Sequence, residues 1–233
     1  MSKNDKKNQE HKGNEIFESA DALHEEGTKF YEKNKWVLMG AVALIMLAVA
    51  GTFGWQTFST SREAKAQEEI FHAIFYFENG KFNEALNGDG NHAGFLDVIK
   101  DYGSTKVGNM AHYYAGISYL KEGDYEKAIE NLKQFSSSEL ILQGRAYAVT
   151  GDAYLELGNY KEAASYYEKA ANYKPNESFT PAYLVKAALA YETAGETAKA
   201  EQAYKTIINK YKKSSEYNDA RKQLARLQAS AGK

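Results

Sequence analysis

Between Trp36 and Phe58 the chain runs 23 residues without one charged side chain, and no other feature restricts its fold as much. The centre of the run reads Val37-Leu38-Met39-Gly40-Ala41-Val42-Ala43-Leu44-Ile45-Met46-Leu47-Ala48-Val49-Ala50. About 20 apolar residues at a 1.5 Å rise cross a ~30 Å hydrocarbon core. In hydrocarbon only a helix satisfies the backbone of a single segment. Trp36 stands at one end and Trp55 with Phe58 at the other, where amphipathic rings favour the headgroup level. Two alternatives compete with a transmembrane helix. A buried core helix is seldom apolar all round for this length. A cleaved signal peptide would use Ala64-Lys65-Ala66 as its box, but such apolar regions run only about 7–15 residues behind a short positive segment. The tail here is long and mixed in charge, so an uncleaved signal-anchor is expected.

The flanks vote on orientation. Lys29, Lys33 and Lys35 precede the span closely, whereas Arg62 and Lys65 follow it. Only Lys and Arg near a span count, so the bias places the N-terminus inside; Lys3, Lys6, Lys7 and Lys12 reinforce it. Residues 1–14 carry too little apolar surface to offset ordering entropy and read as disordered. From Glu15 a loosely helical face emerges in Ile16, Phe17, Ala20, Leu23, Phe30 and Tyr31, which Gly27 weakens. It reads equally as a juxtamembrane helix within the tail 1–35 or as a solvated stalk.

Beyond the span the sequence repeats itself. Gly116 to Ala128 aligns with Gly151 to Ala163 and with Ala188 to Ala200, at spacings of 35 and 37 residues. Each segment carries a small residue first, a tyrosine (Tyr119, Tyr154, Tyr191), a glycine (Gly123, Gly158, Gly195) and a closing alanine. The small residues let two helices approach closely, the tyrosines fill the space between units and the glycines turn the chain. The period and residue types resemble the ~34-residue tetratricopeptide repeat, and the second unit adds Tyr167, Ala170 and the terminal Pro175. A degenerate unit precedes them in Ala73 to Ala85, interrupted by Gly88-Asp89-Gly90-Asn91-His92-Ala93-Gly94. Only 2 prolines occur, as long helices require. The expected fold is therefore all-α, a single transmembrane helix at 36–58 followed by an α-α superhelix over 59–233. Its repeats span about 66–106, 109–142, 144–177 and 181–214, with a capping helix at 215–229 carrying Tyr217, Ala220, Leu224 and Leu227.

Catalytic chemistry has little to stand on. There is no cysteine, hence no thiolate nucleophile, disulfide or Cys-ligated metal. His11, His24, His72, His92 and His112 form no HExxH pair, although the last three could converge in space. Asp89 and Asn91 lack the other ligands of a calcium loop, and the glycines around them match no phosphate-binding motif. Asn176-Glu177-Ser178 is formally a glycosylation sequon, meaningful only in a eukaryotic secretory lumen. Net charge is -2, which offers no field for nucleic acid. No enzyme activity, cofactor or metal is expected, and no small-molecule substrate.

A surface remains. In tetratricopeptide folds the first helix of each repeat lines a groove, and the register assigns its positions. Met110, Tyr113, Ile117, Leu120, Arg145, Ala148, Asp152, Leu155, Glu156, Val185, Leu189 and Glu192 are expected to form a partner-binding groove. The carboxylate-clamp subclass needs Lys and Asn where Tyr113 and Ile117 stand, so a clamp is not expected. Apolar patches in such a groove suit unfolded or amphipathic segments.

The order of tail, span and divergent repeats resembles the YfgM-like family of ancillary SecYEG translocon subunits, in a Bacteroidetes-like form. The likeness is most specific in Gly94 to Lys106, in Gly123-Asp124-Tyr125 and from Ala187 to Tyr204, and covers most of the chain from about residue 15. It implies an inner-membrane protein with a cytoplasmic N-terminus and a periplasmic repeat domain. Its implied partners are secretion-translocon subunits, periplasmic chaperones or unfolded clients. Related domains occur in cell-division coordinators, so an envelope scaffold is the alternative. Reversed topology would instead make an import receptor.

Overall fold

The computed structural model describes residues 24–230 with their side chains, and of residues 3–23 and 231 only the helical backbone. The disorder expected for residues 1–14 is not found over 3–14, whose backbone belongs to α1, while the side chains of the face expected at Ile16, Phe17, Ala20 and Leu23 lie outside the described residues. Every described element is an α-helix: α1 Lys3–Glu78, α2 Phe82–Asn87, α3 Phe95–Tyr102, α4 Lys106–Glu122, α5 Tyr125–Gln134, α6 Leu140–Glu156, α7 Tyr160–Asn172, α8 Thr180–Thr193, α9 Thr197–Lys210 and α10 Tyr217–Ala231. Two compact units divide the chain, Met1–Ser59 and Thr60–Lys233.

In the first unit α1 carries the apolar run with nothing over it. Trp36 is 76% exposed and Leu44 70%, and the most apolar stretch of the helix is not buried at all. A core helix would be covered, and this stretch is not. Among the described residues α1 is the one helix long and apolar enough to cross a membrane. Gly27, Gly40, Gly51 and Gly54 face open space and do not break it.

The second unit is built by a recurring turn. Gly123, Gly158 and Gly195 take φ of 83°, 73° and 76°, the left-handed region that glycine enters without steric cost. Each lets the following N–H reach back five residues: Asp124 to the Tyr119 carbonyl (2.9 Å), Asn159 to Tyr154 (2.9 Å) and Glu196 to Tyr191 (2.8 Å). This closure satisfies the last carbonyls of one helix and starts the next within two residues. Thus α4 pairs with α5, α6 with α7 and α8 with α9, and α10 packs on α9.

Close packing within each pair follows from the small residues. A Cβ on Gly116 would lie 2.5 Å from Leu132 Cγ, and one on Gly151 would lie 2.7 Å from Tyr167 Cε1. The third pair has Ala188 and Tyr204 at the same register, both 0% exposed. Ala128, Ala163 and Ala200 on the second helices are likewise fully buried.

The degenerate first unit departs from this plan. Its second helix is split into α2 and α3 by residues 88–94, pinned by Asp89. That carboxylate accepts the Asn91 and His92 N–H groups (2.9 and 2.7 Å) and the Tyr76 hydroxyl (2.7 Å). The Tyr76 hydroxyl, then His92, holds the Asp89 carboxyl far below the usual carboxylate range. Helix α4 is capped twice, by Thr105 accepting from the Gly108 N–H (2.9 Å) and by Glu63 accepting from Lys106 (2.8 Å) and Val107 (3.2 Å). Those anion contacts at a helix N-terminus are favourable to its dipole, and Arg62 donates to the Asp101 carbonyl beside them.

Candidate protein-binding groove

The residues expected in the groove fall into different settings. Tyr113, Ile117 and Arg145 come together around a pocket of about 420 Å³. This pocket is walled by the end of α1 (Phe77, Glu78), by Phe82 of α2, by α4 (Tyr114, Lys121) and by α6 (Ile141, Leu142). Met110, Leu120 and Val185 are half-buried against the core, while Leu155 (37%), Leu189 (48%) and Glu156 are exposed.

Two expected groove residues are buried. Ala148 is 4% exposed within the core of α6 to α10. Tyr113 is 4% exposed because Phe135, the residue just past α5, packs against it with ring centroids 5.1 Å apart. Leu132 and Ala146 complete that cluster. Burial raises the Tyr113 phenol above its ordinary value, partly opposed by Arg145.

Asp152 and Glu192 are placed on the face but are already engaged. Asp152 accepts the Tyr167 hydroxyl from α7 (2.6 Å) and the Lys186 ammonium from α8 (2.7 Å). Glu192 accepts the Tyr204 hydroxyl from α9 (2.9 Å) and the Arg226 guanidinium from α10. In both cases a carboxylate on one first helix ties a buried tyrosine below it to a cation 34 residues further on. Burial foremost, then the carboxylate bond, pushes the Tyr167 and Tyr204 phenols well above their ordinary range. The Asp152–Lys186 pair links α6 to α8.

In the earlier unit Ile117 and Leu132 occupy the positions of Asp152 and Tyr167, so the linking network is replaced by apolar surface. The face therefore grades from apolar near α2 and α4 to ion-paired near α8 and α10.

The pocket walls outside the expected set share one origin. Phe77 and Glu78 stand at the register of Leu120 and Lys121 in the next unit, a correspondence that extending the repeat into the degenerate unit reveals. Phe82 likewise stands at the register of Tyr125, whereas Ile141 and Leu142 carry no such mark, since they lie at the start of α6 outside the aligned motif.

The histidines do not converge as a trio. His72 and His92 stack with centroids 3.6 Å apart, and His92 pairs with Asp89 (3.1 Å). His112 lies apart against Asn131 (3.1 Å). Among the described residues no group of three or more His, Cys, Asp or Glu side chains could hold a metal.

Comparison with known proteins agrees with this geometry. Residues 113–178 and 154–232 match two models described as tetratricopeptide repeat. Among solved structures, the crystal structure of MamA is 20% identical with a TM-score of 0.52, over 69% of this chain and 84% of that one. Two structures of a chain assigned as a kinesin light chain in Podosopora anserina, built of nearly identical TPR-like repeats, are 16% identical. They superimpose with TM-scores of 0.52 and 0.53 over 73% of this chain and 88% of theirs. At these identities the likeness is one of fold. Among curated proteins none matches.

Proposed function

Because the chain is a tetratricopeptide-repeat protein, we propose that it is a membrane-anchored adaptor which holds protein partners along the face made by the first helices of its repeats. The observation that carries this reading is the pocket at Ile117 and Arg145, an apolar concavity lined by three successive units. Exposed apolar patches rimmed by polar residues mark interaction sites. The uncovered apolar run of α1 supplies the anchor. On this reading residues 1–35 form a cytoplasmic tail, 36–58 the span and 59–233 the repeat domain. The repeat domain then faces the periplasm, in accord with the Lys and Arg bias across the span.

Within that frame the protein serves as an accessory of the secretion translocon, passing emerging chains to periplasmic chaperones. The support is the order of segments and the motifs from Gly94 to Lys106 and Ala187 to Tyr204, which resemble that family. A scaffold for cell division or wall assembly is the second reading, favoured by the same repeat architecture. Labelling of neighbours in the native membrane separates them: translocon subunits in the first case, wall-synthesis proteins in the second. Protease added to spheroplasts is expected to digest the chain beyond residue 62 and spare the tail. Protection of the repeat domain would refute both envelope readings and favour an import receptor.

A further inference from the structure

His72 on α1 and His92 in the segment 88–94 lie face to face, with ring centroids 3.6 Å apart and planes 31° from parallel. Aromatic pairs ordinarily sit about 4.5–7 Å apart, so these two rings are held unusually close. Each is braced from outside the stack. His92 Nδ1 lies 3.1 Å from the Asp89 carboxylate, which also accepts the Tyr76 hydroxyl and the N–H groups of Asn91 and His92. Phe71 meets the His72 ring edge-on, with centroids 5.5 Å apart. A carboxylate against Nδ1 draws the ring proton to that nitrogen and leaves the Nε2 lone pair of a neutral imidazole free. None of these residues lines the pocket at Ile117 and Arg145.

We infer that His72 and His92 form a site for a borderline divalent cation, with Zn²⁺ as its type. Two Zn–N bonds of about 2.0–2.1 Å at the tetrahedral angle put their nitrogens roughly 3.3 Å apart. The 3.6 Å stack already holds the rings near that spacing. Imidazole nitrogen suits Zn²⁺, Cu²⁺ and Ni²⁺, whereas Mg²⁺ and Ca²⁺ take oxygen ligands. A carboxylate on the far nitrogen fixes the orientation of a ligating histidine and raises its basicity, and Asp89 already makes that contact with His92. Among the described residues no three such side chains converge, so the pair supplies two nitrogens and further ligands must come from nearby. Glu69 is placed to provide one: it lies three residues before His72 on α1, on the same helix surface, exposed and without a partner among the described residues. Water completes the shell, which makes the ion exchangeable. Its effect is to tie α1 to the segment that splits the second helix of the first unit, and so to stabilise that unit by linkage. This inference is independent of the proposed groove.

The test uses the full chain in phosphatidylcholine nanodiscs, without a polyhistidine tag and freed of metal by EDTA and dialysis. Titration calorimetry with ZnCl₂ is expected to show one Zn²⁺ per chain at micromolar affinity, with no response to MgCl₂. His92→Ala and His72→Gln are each expected to lose about tenfold or more in affinity, while melting in EDTA as the parent does. Glu69→Gln is expected to bind more weakly than the parent and more tightly than either histidine variant. His24→Ala and His112→Ala are expected to bind as the parent does. Hydrogen exchange of the unaltered chain gives a second reading that no variant's folding can obscure: Zn²⁺ is expected to slow exchange over residues 88–94. Undiminished affinity in either of the His72 and His92 variants, an equal loss in the His24 and His112 variants, or no binding up to millimolar ZnCl₂ would each overturn the inference. Equal binding of Mg²⁺, or exchange over residues 88–94 that Zn²⁺ leaves unchanged, would do the same.

Discussion

Replacing Gly151 by alanine sets two effects of known size against each other. In a helix interior alanine is favoured over glycine by about 1 kcal/mol. Against that, the new Cβ would meet three atoms of the Tyr167 ring at 2.7, 2.8 and 3.1 Å, too close for an unshifted structure. The ring cannot easily turn aside, since Tyr167 is 2% exposed and its hydroxyl is bonded to Asp152 at 2.6 Å. Overpacking of this kind costs about 1–3 kcal/mol, and breaking a hydrogen bond to a charged acceptor costs about 1.5–3 kcal/mol, so the upper end applies. The net expectation is a loss of about 2 kcal/mol, or a fall in Tm of roughly 4–8 °C for a domain of this size. Gly144 lies two turns earlier on the same helix and provides the control. Its nearest neighbour would be Tyr183 at 3.7 Å, an ordinary contact, so Gly144→Ala is expected to keep the propensity gain and raise the Tm. Thermal melts followed by circular dichroism at 222 nm measure both. If Gly151→Ala raised the Tm as Gly144→Ala does, the contact between the paired helices would not be as close as argued.

Ala163→Leu forces bulk into the same helix pair from a position that is 0% exposed, and is expected to cost about 1–3 kcal/mol. Because solenoid stability is a sum over neighbours, hydrogen exchange should quicken in α6 and α8 as well as α7. Asp152→Ala leaves the Tyr167 hydroxyl buried without its acceptor and is expected to cost about 1–3 kcal/mol, read as a shift in the urea midpoint. Leu155→Ser, on an exposed position, should leave that midpoint within about 0.5 kcal/mol. Alkaline titration gives a signed pH dependence. Burial raises the phenols of Tyr113, Tyr167, Tyr191 and Tyr204, so above pH ~10 the unfolded chain loses protons that the folded chain keeps. Stability is thus fully present below pH ~10 and falls as pH rises further; the part of the rise in absorbance at 295 nm that these four phenols contribute should appear only together with unfolding.

Local pattern carried the architecture because the repeat writes the same physical need three times. A residue with positive φ at Gly123, Gly158 and Gly195, and a small one at Gly116, Gly151 and Ala188, are demands of backbone geometry that few other residues meet. The apolar run of α1 was legible for the same reason, since its length and lack of charge are read directly. The groove was less legible. Register places Tyr113 on the inward face, but its burial depends on Phe135, a residue just past α5 with no fixed place in the repeat. Register also places Asp152 and Glu192 in the groove, yet whether they are free depends on Lys186 and Arg226, one repeat away. The floor of the pocket comes from Phe77 and Phe82, in the unit where the motif has decayed and the second helix is broken by residues 88–94.

Site-specific photo-crosslinking of the full chain in its native membrane tests most directly whether this face binds protein. Arg145 and Leu189 are exposed on the first helices α6 and α8, and Glu162 is exposed on the second helix α7. A crosslinker at Arg145 or Leu189 is expected to yield discrete protein adducts, shared between the two positions, with none from Glu162. Adducts from Glu162 alone, or equally from all three, would contradict the assignment of the groove as the binding surface.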